Sequence, residues 1–368
     1  MKRYLNFDYL DLVWEFGELY DEQAVDDMIR TCAEEGFAGV LWRVSACGKA
    51  VYSSKVRTVF NGDGRQNTQA LARLLSRFDP LAVACAAGAR YGIEVWAWTT
   101  LLDDYYPGLE SGLVLQHPEV QLVDREGKSY LQGVLCYAYP EVVRERLAEV
   151  QELAGYPVTG VYLCTRSHAG LSSPVKLEDA FGYNSPLVKE FQDRYGVDIR
   201  RDAFEKALWY DLIGEHFTRF ILQAGEAVHR QGKRVAVGMR RNYYSAMHVH
   251  PLARMRFDWP QWVYEGAVDA LVVGAGDDVL AEGAGWSSSL AEQYDLLARK
   301  GVELWVWLRL FDWAGKYGPH PYPDFPTKPA EVIREGVRRL AANEAISALA
   351  FHEAANVQLF DLWEDVKC

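Results

Sequence analysis

Strand-length apolar runs alternate with helix-length amphipathic stretches along the whole chain, and this alternation limits the folds open to it. The pattern is typical of repeated βα units around a parallel sheet. We predict strands at residues 4–8, 39–44, 93–99, 160–164, 235–239, 270–273, 303–308 and 347–352, and helices that include residues 23–35, 80–91, 140–154, 202–230, 289–300 and 330–343. Eight units within 368 residues predict an α/β fold, a (β/α)8 TIM barrel, as a single domain over residues 1–368.

The two kinds of connection between these elements differ in length. Helix-to-strand turns are short and carry glycine or polar residues, as in EEGFAG, RYGIE and RKGVE, whereas strand-to-helix connections occupy residues 44–79, 100–139, 165–201 and 310–329. In a β/α barrel these long connections all lie at the C-terminal face of the strands, where the site is expected. A doubly wound open sheet is the alternative, but no GxGxxG or Walker loop follows the first strand to support it.

Composition argues against several classes of partner. A net charge of -12 without a Lys/Arg block argues against nucleic acid, and no apolar run reaches 18 residues, so we expect no membrane partner. The N-terminal MKRYLNFDYL alternates like a strand and has no apolar signal segment, which predicts a cytoplasmic protein. The six cysteines are scattered without a CxxC pair, so we expect reduced thiols.

A faint internal repeat relates the third and seventh strands. YGIEVWAWTTLLDD, from Tyr91, aligns without a gap with KGVELWVWLRLFDW, from Lys300. Strand alternation points four tryptophans into the barrel, and the lower two, Trp96 and Trp305, are expected to fill it. Trp98 and Trp307 come nearer the mouth, where we predict them as aromatic surfaces on which a sugar stacks.

The same alternation directs cationic side chains at the barrel mouth. Four strands end in an inward arginine, with two further polar residues beside them; the set is Arg43, Arg166, Arg240 and Arg309, with His168 and Arg241. Converging guanidinium groups repel one another unless anions or carboxylates lie between them. The substrate therefore carries a carboxylate, sulfate or phosphate, or the loop aspartates neutralise the cluster, and the sequence leaves both alternatives open.

Glycoside hydrolysis requires two carboxyl groups, one as acid and one as nucleophile or base. The leading candidates are Asp103, Asp104 and Glu353, while Asp8 and His352 are placed with the substrate-binding residues. For Asp277, Asp278 and Asp312 we favour capping or ion pairing. Arginines lower the pKa of a nearby carboxyl group, so Glu353, which lies near the charged strand ends, is predicted as the base or nucleophile. The acid is predicted to be Asp104 or Asp103, and the two tyrosines that follow Asp104 would give it the more apolar surroundings that an acid needs.

Metal and nucleophile motifs are weak. His248 and His250 form an HxH, but no third ligand follows at a recognisable spacing, so we predict no metal and no cofactor. No GxSxG elbow is present, and Cys164 on the fourth strand fits a small buried hydrophobe.

Several segments, in order, resemble the (β/α)8 proteins described as family-10-like glycosyl hydrolases. They are EEGFAGVLWRV, FDPLAVACAAGARYGIEVWAWTTLLDD, HPEVQLVDREGK, YPEVVRERLAEVQELAGYPVTGVYL and DWPQWVYEGAVDALVV. The resemblance covers most of the chain and implies a carbohydrate-binding cleft and glycosidic-bond chemistry. It also implies acidic residues just after the fourth strand, where this chain has Cys164 and Thr165, and the seventh strand ends in Arg309 with no glutamate.

Three hypotheses follow from these features. The first is a glycosidase for a small oligosaccharide or glycoside, anionic or otherwise modified, with a displaced carboxylate pair. The second is a sugar-binding barrel without catalysis, which Cys164 and Thr165 would explain. The third is a lyase or isomerase on a sugar acid, with His168 or His352 as base and arginines holding the carboxylate.

Overall fold

Eight parallel strands close into a barrel in a computed structural model of the chain. The structure describes all residues except 63, 65, 167–179, 241–248, 251–253, 276–295, 313–314, 316–324 and 368. The barrel strands are β1 (Lys2–Phe7), β2 (Gly39–Arg43), β3 (Glu94–Thr100), β4 (Gly160–Cys164), β5 (Arg234–Arg240), β6 (Ala270–Ala275), β7 (Glu303–Arg309) and β8 (Ala348–His352). Each pairs with its sequence neighbours, and β8 closes on β1 with Lys2 opposite Ala348. The predicted (β/α)8 barrel is confirmed, and every predicted strand is present within two residues of its expected bounds.

The described helices are α1 (Tyr9–Phe16), α2 (Glu22–Glu34), α3 (Gln66–Leu75), α4 (Pro80–Tyr91), α5 (Gly112–Gln116), α6 (Pro140–Ala154), α7 (Ser185–Tyr195), α8 (Lys206–His229), α9 (Trp259–Tyr264), α10 (Ala330–Ala341) and α11 (Ala354–Leu359). Short 3-10 turns occupy Gly17–Leu19 and Pro118–Val120. Of the predicted helix 289–300, residues 296–300 are helical and the rest lie outside the described residues. No helix in the described ranges is long and apolar enough to cross a membrane.

Short antiparallel hairpins occupy parts of the long connections. They pair Ser45–Ala46 with Lys49–Ala50, Gln121–Val123 with Tyr130–Leu135, and Val249–His250 with Met255–Arg256. With α3, α5 and α7 they give the strand-to-helix connections structure of their own, all on the side of the strand C-termini. The described parts of the long strand-to-helix connections therefore follow the strand C-termini, as predicted.

Tryptophans fill the inside of the barrel, as the strand alternation predicts. Trp96 and Trp305 meet edge to face with ring centroids 4.9 Å apart, and neither is exposed. Small residues on neighbouring strands make room for them: a Cβ on Gly160 would lie 2.4 Å from the Trp96 ring. The lower barrel is thus a packed core, whose two indole N–H groups donate to Glu94 and Glu303 at 2.8 and 2.7 Å.

Candidate functional site

Strands β1 and β8 are neighbours, and the residues that follow them bring three carboxyl groups together at the barrel mouth. Asp8 is the N-cap of α1, where it accepts a hydrogen bond from the Leu10 N–H at 3.2 Å. Asp11 lies in the first turn of the same helix. Carboxylate oxygens of these two and of Glu353 all lie within 4.8 Å of one another. Asp8 and Glu353 lie at the mouth as predicted from strand alternation, whereas Asp11 was not predicted there.

Glu353 is the least solvated of the three. It follows β8 directly, with 1% of its surface exposed, and within the described part of the chain its carboxyl group meets that of Asp11 but accepts no hydrogen bond from an N–H group. Burial raises the pKa of Glu353 well above its usual value, and the charges of Asp11 and Asp8 raise it further. The expectation that neighbouring arginines would hold this pKa down is therefore wrong, because the lowering by Arg166 is outweighed. The environment suits a proton donor.

Asp11 is half-buried and reaches solvent more readily than Glu353. Burial raises the pKa of Asp11 to about 7, and the charge on Asp8 adds to the increase, while a hydrogen bond with the Glu353 carboxyl and the charges of Arg43 and Arg166 oppose it. Two adjacent carboxyl groups with raised pKa values resist ionising together. Asp11 and Glu353 are therefore expected to hold one proton between them near neutral pH.

Arg43 lies between carboxylates rather than against another cation. It forms a buried ion pair with Asp8, and its second terminal nitrogen lies 3.6 Å from a carboxylate oxygen of Asp103. Its guanidinium also lies 5.5 Å from the centre of the Trp98 ring. The sequence left open whether an anionic substrate group or aspartates neutralise the arginines at the mouth. For Arg43, the neutralising groups are the aspartates Asp8 and Asp103.

Arg166 approaches the same tryptophan from the end of β4. Its guanidinium carbon lies 5.7 Å from the centre of the Trp98 ring, and its Nη1 lies 2.9 Å from Nε2 of His352. His352 packs against Trp307 with ring centroids 4.8 Å apart. Two arginines thus cover Trp98, which has no exposed surface, whereas Trp307 is half-buried. Trp307 is the aromatic surface that a ligand can reach.

The remaining predicted binding residues differ in how they are placed. Arg309 ends β7 opposite His352 in register, and its side chain is exposed. Arg240 ends β5, but its side chain is not described. All four strand-end arginines therefore belong to the C-terminal face of the barrel. His168, Arg241, His248, Asp277 and Asp278 lie outside the described residues, as does the side chain of His250.

Asp104 lies in a buried ion network instead of the mouth cluster. Arg57 donates to it at 3.0 Å and Arg146 binds the same oxygen. Both arginines also pair with Glu149, at 3.2 and 2.6 Å, and Glu149 accepts from the hydroxyl of Thr99. None of the four charged side chains is more than 5% exposed. These contacts join the connection after β2 to α6 and favour a structural role for Asp104 over the predicted acid role.

The end of β4 has no carboxyl group, as the sequence shows. Cys164 packs among the interior tryptophans and Tyr162, and the Thr165 hydroxyl donates to the Gly238 carbonyl at 2.7 Å. Both residues have structural surroundings. Asp312, which follows β7, is buried, and its N–H donates to the Pro326 carbonyl at 2.7 Å.

Several buried polar atoms near the mouth have no hydrogen-bond partner in the part of the chain that the structure describes. They include Nε of Arg43, Nε of Arg166, Nε1 of Trp98 and both amide atoms of Asn6. Asn6 has the same inward parity on β1 as Tyr4 and Asp8, and sequence reasoning missed it. Buried polar atoms normally have partners, so a polar ligand with several hydroxyl groups would supply what this region lacks.

The three mouth carboxylates are close enough to share a cation, but the oxygens of Asp8 are already engaged. One accepts from the Leu10 N–H and the other from Arg43. Asp11 and Glu353, whose carboxyl groups meet each other, are the two members of the cluster with raised pKa values.

No protein-family model and no curated protein matches this chain. Solved structures do match it. The glycoside hydrolase domain of PgaB (BpsB) from Bordetella bronchiseptica is similar with a TM-score of 0.61 and 14% identity, over 99% of this chain and 97% of that one. The catalytic domain of a β-amylase from Paenibacillus polymyxa is similar with a TM-score of 0.55 and 13% identity, over 97% and 93%.

A β-galactosidase from the psychrophilic Marinomonas ef1 matches with a TM-score of 0.56 and 11% identity, over 96% of this chain and 54% of that one. The likeness is one of fold. These neighbours are glycoside hydrolases, and at 11 to 14% identity they show that this chain shares their TIM-barrel fold. The resemblance to family-10-like enzymes in particular stays a prediction.

Proposed function

We propose that the chain is a glycosidase whose proton donor is Glu353. The observation that carries the proposal is the state of that side chain. It is a buried carboxyl at the C-terminal face of the barrel, in contact with the carboxyl of Asp11, with no N–H donor to its oxygens among the described residues and a pKa raised by burial and by two neighbouring acids. A general acid must hold its proton near neutral pH until the leaving oxygen takes it, and this environment provides that property.

Asp11 is the proposed second carboxyl group. One of its carboxylate oxygens lies within 4.8 Å of one from Glu353. Carboxyl groups this near each other fall on the side of the short separation of retaining enzymes, about 5 to 5.5 Å, rather than the roughly 6.5 to 9.5 Å that leaves room for a water in inverting enzymes. The spacing supports a retaining reaction, in which Asp11 attacks the anomeric carbon while Glu353 protonates the leaving oxygen. Asp8 fits this role less well because its oxygens already accept hydrogen bonds.

The proposed substrate is a small glycoside that stacks on Trp307 and places an anionic group near Arg166. Trp307 is half-buried beside His352, so one of its faces can receive the C–H side of a sugar. Arg166 is half-buried, and its Nε has no partner within the described ranges. A carboxylate or sulfate on the sugar would bind such a guanidinium in a charge-assisted hydrogen bond.

Hydrolysis across matched pairs of neutral and uronic-acid phenyl glycosides tests this proposal. We expect turnover of at least one pair, with kcat/KM higher for the acidic member. Arg166→Gln should remove that preference, and Arg309→Gln, which changes an exposed arginine at the end of β7, should keep it. Sugar binding without turnover of any member would instead support the non-catalytic sugar-binding barrel. Equal loss for both members in Arg166→Gln would show that this arginine does not bind the anionic group of the substrate.

A further inference from the structure

The contact between Arg166 and His352 fixes which ring nitrogen of the histidine carries a proton. Nη1 of Arg166 lies 2.9 Å from Nε2 of His352. A guanidinium group has N–H donors and no acceptor, so Nε2 must supply a lone pair. If the imidazole were doubly protonated, its Nε2–H would face an N–H of Arg166, and two donors repel each other. His352 is therefore neutral in this arrangement, with its hydrogen on Nδ1.

Packing holds this ring in place. His352 is 5% exposed, and its ring centroid lies 4.8 Å from that of Trp307 and 5.4 Å from that of Phe311. Because the aromatic neighbours restrict rotation, the Nδ1 hydrogen stays directed to one side. On that side Nδ1 lies 3.7 Å from Oε2 of Glu353.

That separation is longer than a hydrogen bond, which suits a neutral carboxyl group. When Glu353 loses its proton it becomes an anion, and an N–H directed at an anion shortens and strengthens its contact. Among the described residues, the charged groups that act most on Glu353 are Asp8 after β1, Asp11 on α1 and Arg166 after β4. The two aspartates oppose ionisation of Glu353, Arg166 favours it, and the His352 N–H adds a donor on the same side as Arg166.

We propose that His352 is a positioning residue for Glu353: in the tautomer set by Arg166, its Nδ1–H receives the carboxylate that forms when Glu353 gives up its proton. The bond that forms is Nδ1–H to Oε, and the proton that leaves Glu353 goes to the leaving oxygen of the substrate. The assignment rests on the proposed role of Glu353 as the acid. Arg166 then acts on the proton donor through the histidine as well as by its charge.

Nitrogen NMR of the full chain, labelled with ¹⁵N-histidine, tests the tautomer without any substrate. The signal of His352 is assigned by its loss in His352→Gln. We expect a protonated Nδ1 and an unprotonated Nε2 at neutral pH, and a shift toward the opposite tautomer in Arg166→Met. A protonated Nε2 in the unaltered protein, or no change in Arg166→Met, would overturn the proposal.

Substitutions of His352 then test its effect on Glu353. The side-chain amide nitrogen of Asn takes the place of Nδ1, so His352→Asn keeps a donor toward Glu353, whereas His352→Phe keeps the ring packing and removes the donor. We expect His352→Phe to raise the pKa of Glu353 by about one unit, the effect of one hydrogen bond to a charged group, and His352→Asn to leave it nearly unchanged.

Carbon NMR of ¹³C-carboxyl-labelled glutamate measures this pKa, with Glu353→Gln as the assignment control. If His352→Phe does not fold, His352→Gln withdraws the donor while its amide still meets Arg166. Equal pKa values for Glu353 in the Asn and Phe (or Gln) variants would refute the positioning role. Both readouts are independent of turnover, so a chain that hydrolyses no glycoside but shows the tautomer and the shift loses only the proposed function.

Discussion

Asp11 and Glu353, which are 342 positions apart in the chain, bring carboxylate oxygens within 4.8 Å of each other at the adjacent ends of β1 and β8. The first is half-buried and the second fully buried. The barrel closure between these two strands creates the pair, and the pair carries the proposed chemistry.

The pH dependence of stability should reveal the raised pKa of Asp11. The folded chain holds this proton up to about pH 7, whereas an unfolded chain releases it near pH 4, so the unfolding free energy falls as pH rises between these values. Asp11→Asn keeps the group neutral and should be more stable than the original chain at pH 8, by about 1 to 2 kcal/mol after solvent screening. The difference should vanish near pH 4.

Urea unfolding at the two pH values measures this effect. Glu126→Gln, which neutralises an exposed carboxyl in the turn between two hairpin strands, is the matched control and should show no such pH-dependent gain. An Asp11→Asn variant that is less stable than the original chain at pH 8 would contradict the burial argument.

The pH profile of kcat/KM should have its acidic limb near pH 7. The proposed reaction needs Asp11 ionised and Glu353 protonated, and Asp11 has the lower of the two raised pKa values. Activity should therefore rise as pH increases through about 7 and fall at higher pH, where Glu353 ionises. A profile that declines steadily from pH 5 upward would be inconsistent with these roles.

Asp104 should matter for stability rather than for the chemical step. Asp104→Asn leaves Arg57 and Arg146 with one buried carboxylate between them, and breaking a buried pair of this kind costs about 3 to 5 kcal/mol. We expect that loss in urea unfolding, with kcat/KM per folded molecule within about threefold of the original. Arg73→Met, which breaks an exposed pair with Glu18, should cost under about 1 kcal/mol. A hundredfold loss of activity at unchanged stability would restore the acid role of Asp104.

Substitutions of Trp307 and Trp98 should have different effects: the first should weaken sugar binding, and the second should lower the unfolding free energy. Trp307→Ala removes a half-exposed ring and should weaken sugar binding by roughly three- to tenfold in calorimetric titration, with Trp307→Phe losing less. Trp98→Ala empties a fully buried site beneath two arginines and should lower the unfolding free energy by about 3 to 5 kcal/mol. Equal losses of stability in the two alanine variants would refute the distinction.

The order of strands and helices was predictable because the spacing of apolar residues along the chain distinguishes the two kinds of element. Strand β4 and helices α4 and α6 begin and end at the predicted residues, since glycine or proline marks their ends. The alternation that placed Trp96 and Trp98 inside is likewise a local property of β3. Pairing across the barrel is not local, so the spacing of side chains from different strands could not be read from the sequence.

The site was predictable only in part. The location of Asp8, Arg43, Arg166, His352 and Glu353 at the barrel mouth was predictable because they lie at or just beyond strand ends. Asp11 was missed because the segment YLDLVWEF continues directly from the first strand and was not recognised as a helix; an aspartate followed three residues later by another acid is the signal that could have shown it. The partners of Asp104 were missed because Arg57 and Arg146 are 47 and 42 residues away.

The most direct test of Glu353 as the acid compares leaving groups. A 2,4-dinitrophenyl group departs without a proton, whereas a phenyl group needs one, so loss of the acid should affect only the second kind of substrate strongly. We expect Glu353→Gln to reduce kcat/KM at least about a hundredfold on phenyl glycosides and less than about tenfold on dinitrophenyl glycosides. Equal losses on both, or more than about a tenth of the original rate retained on phenyl glycosides, would contradict the assignment of Glu353.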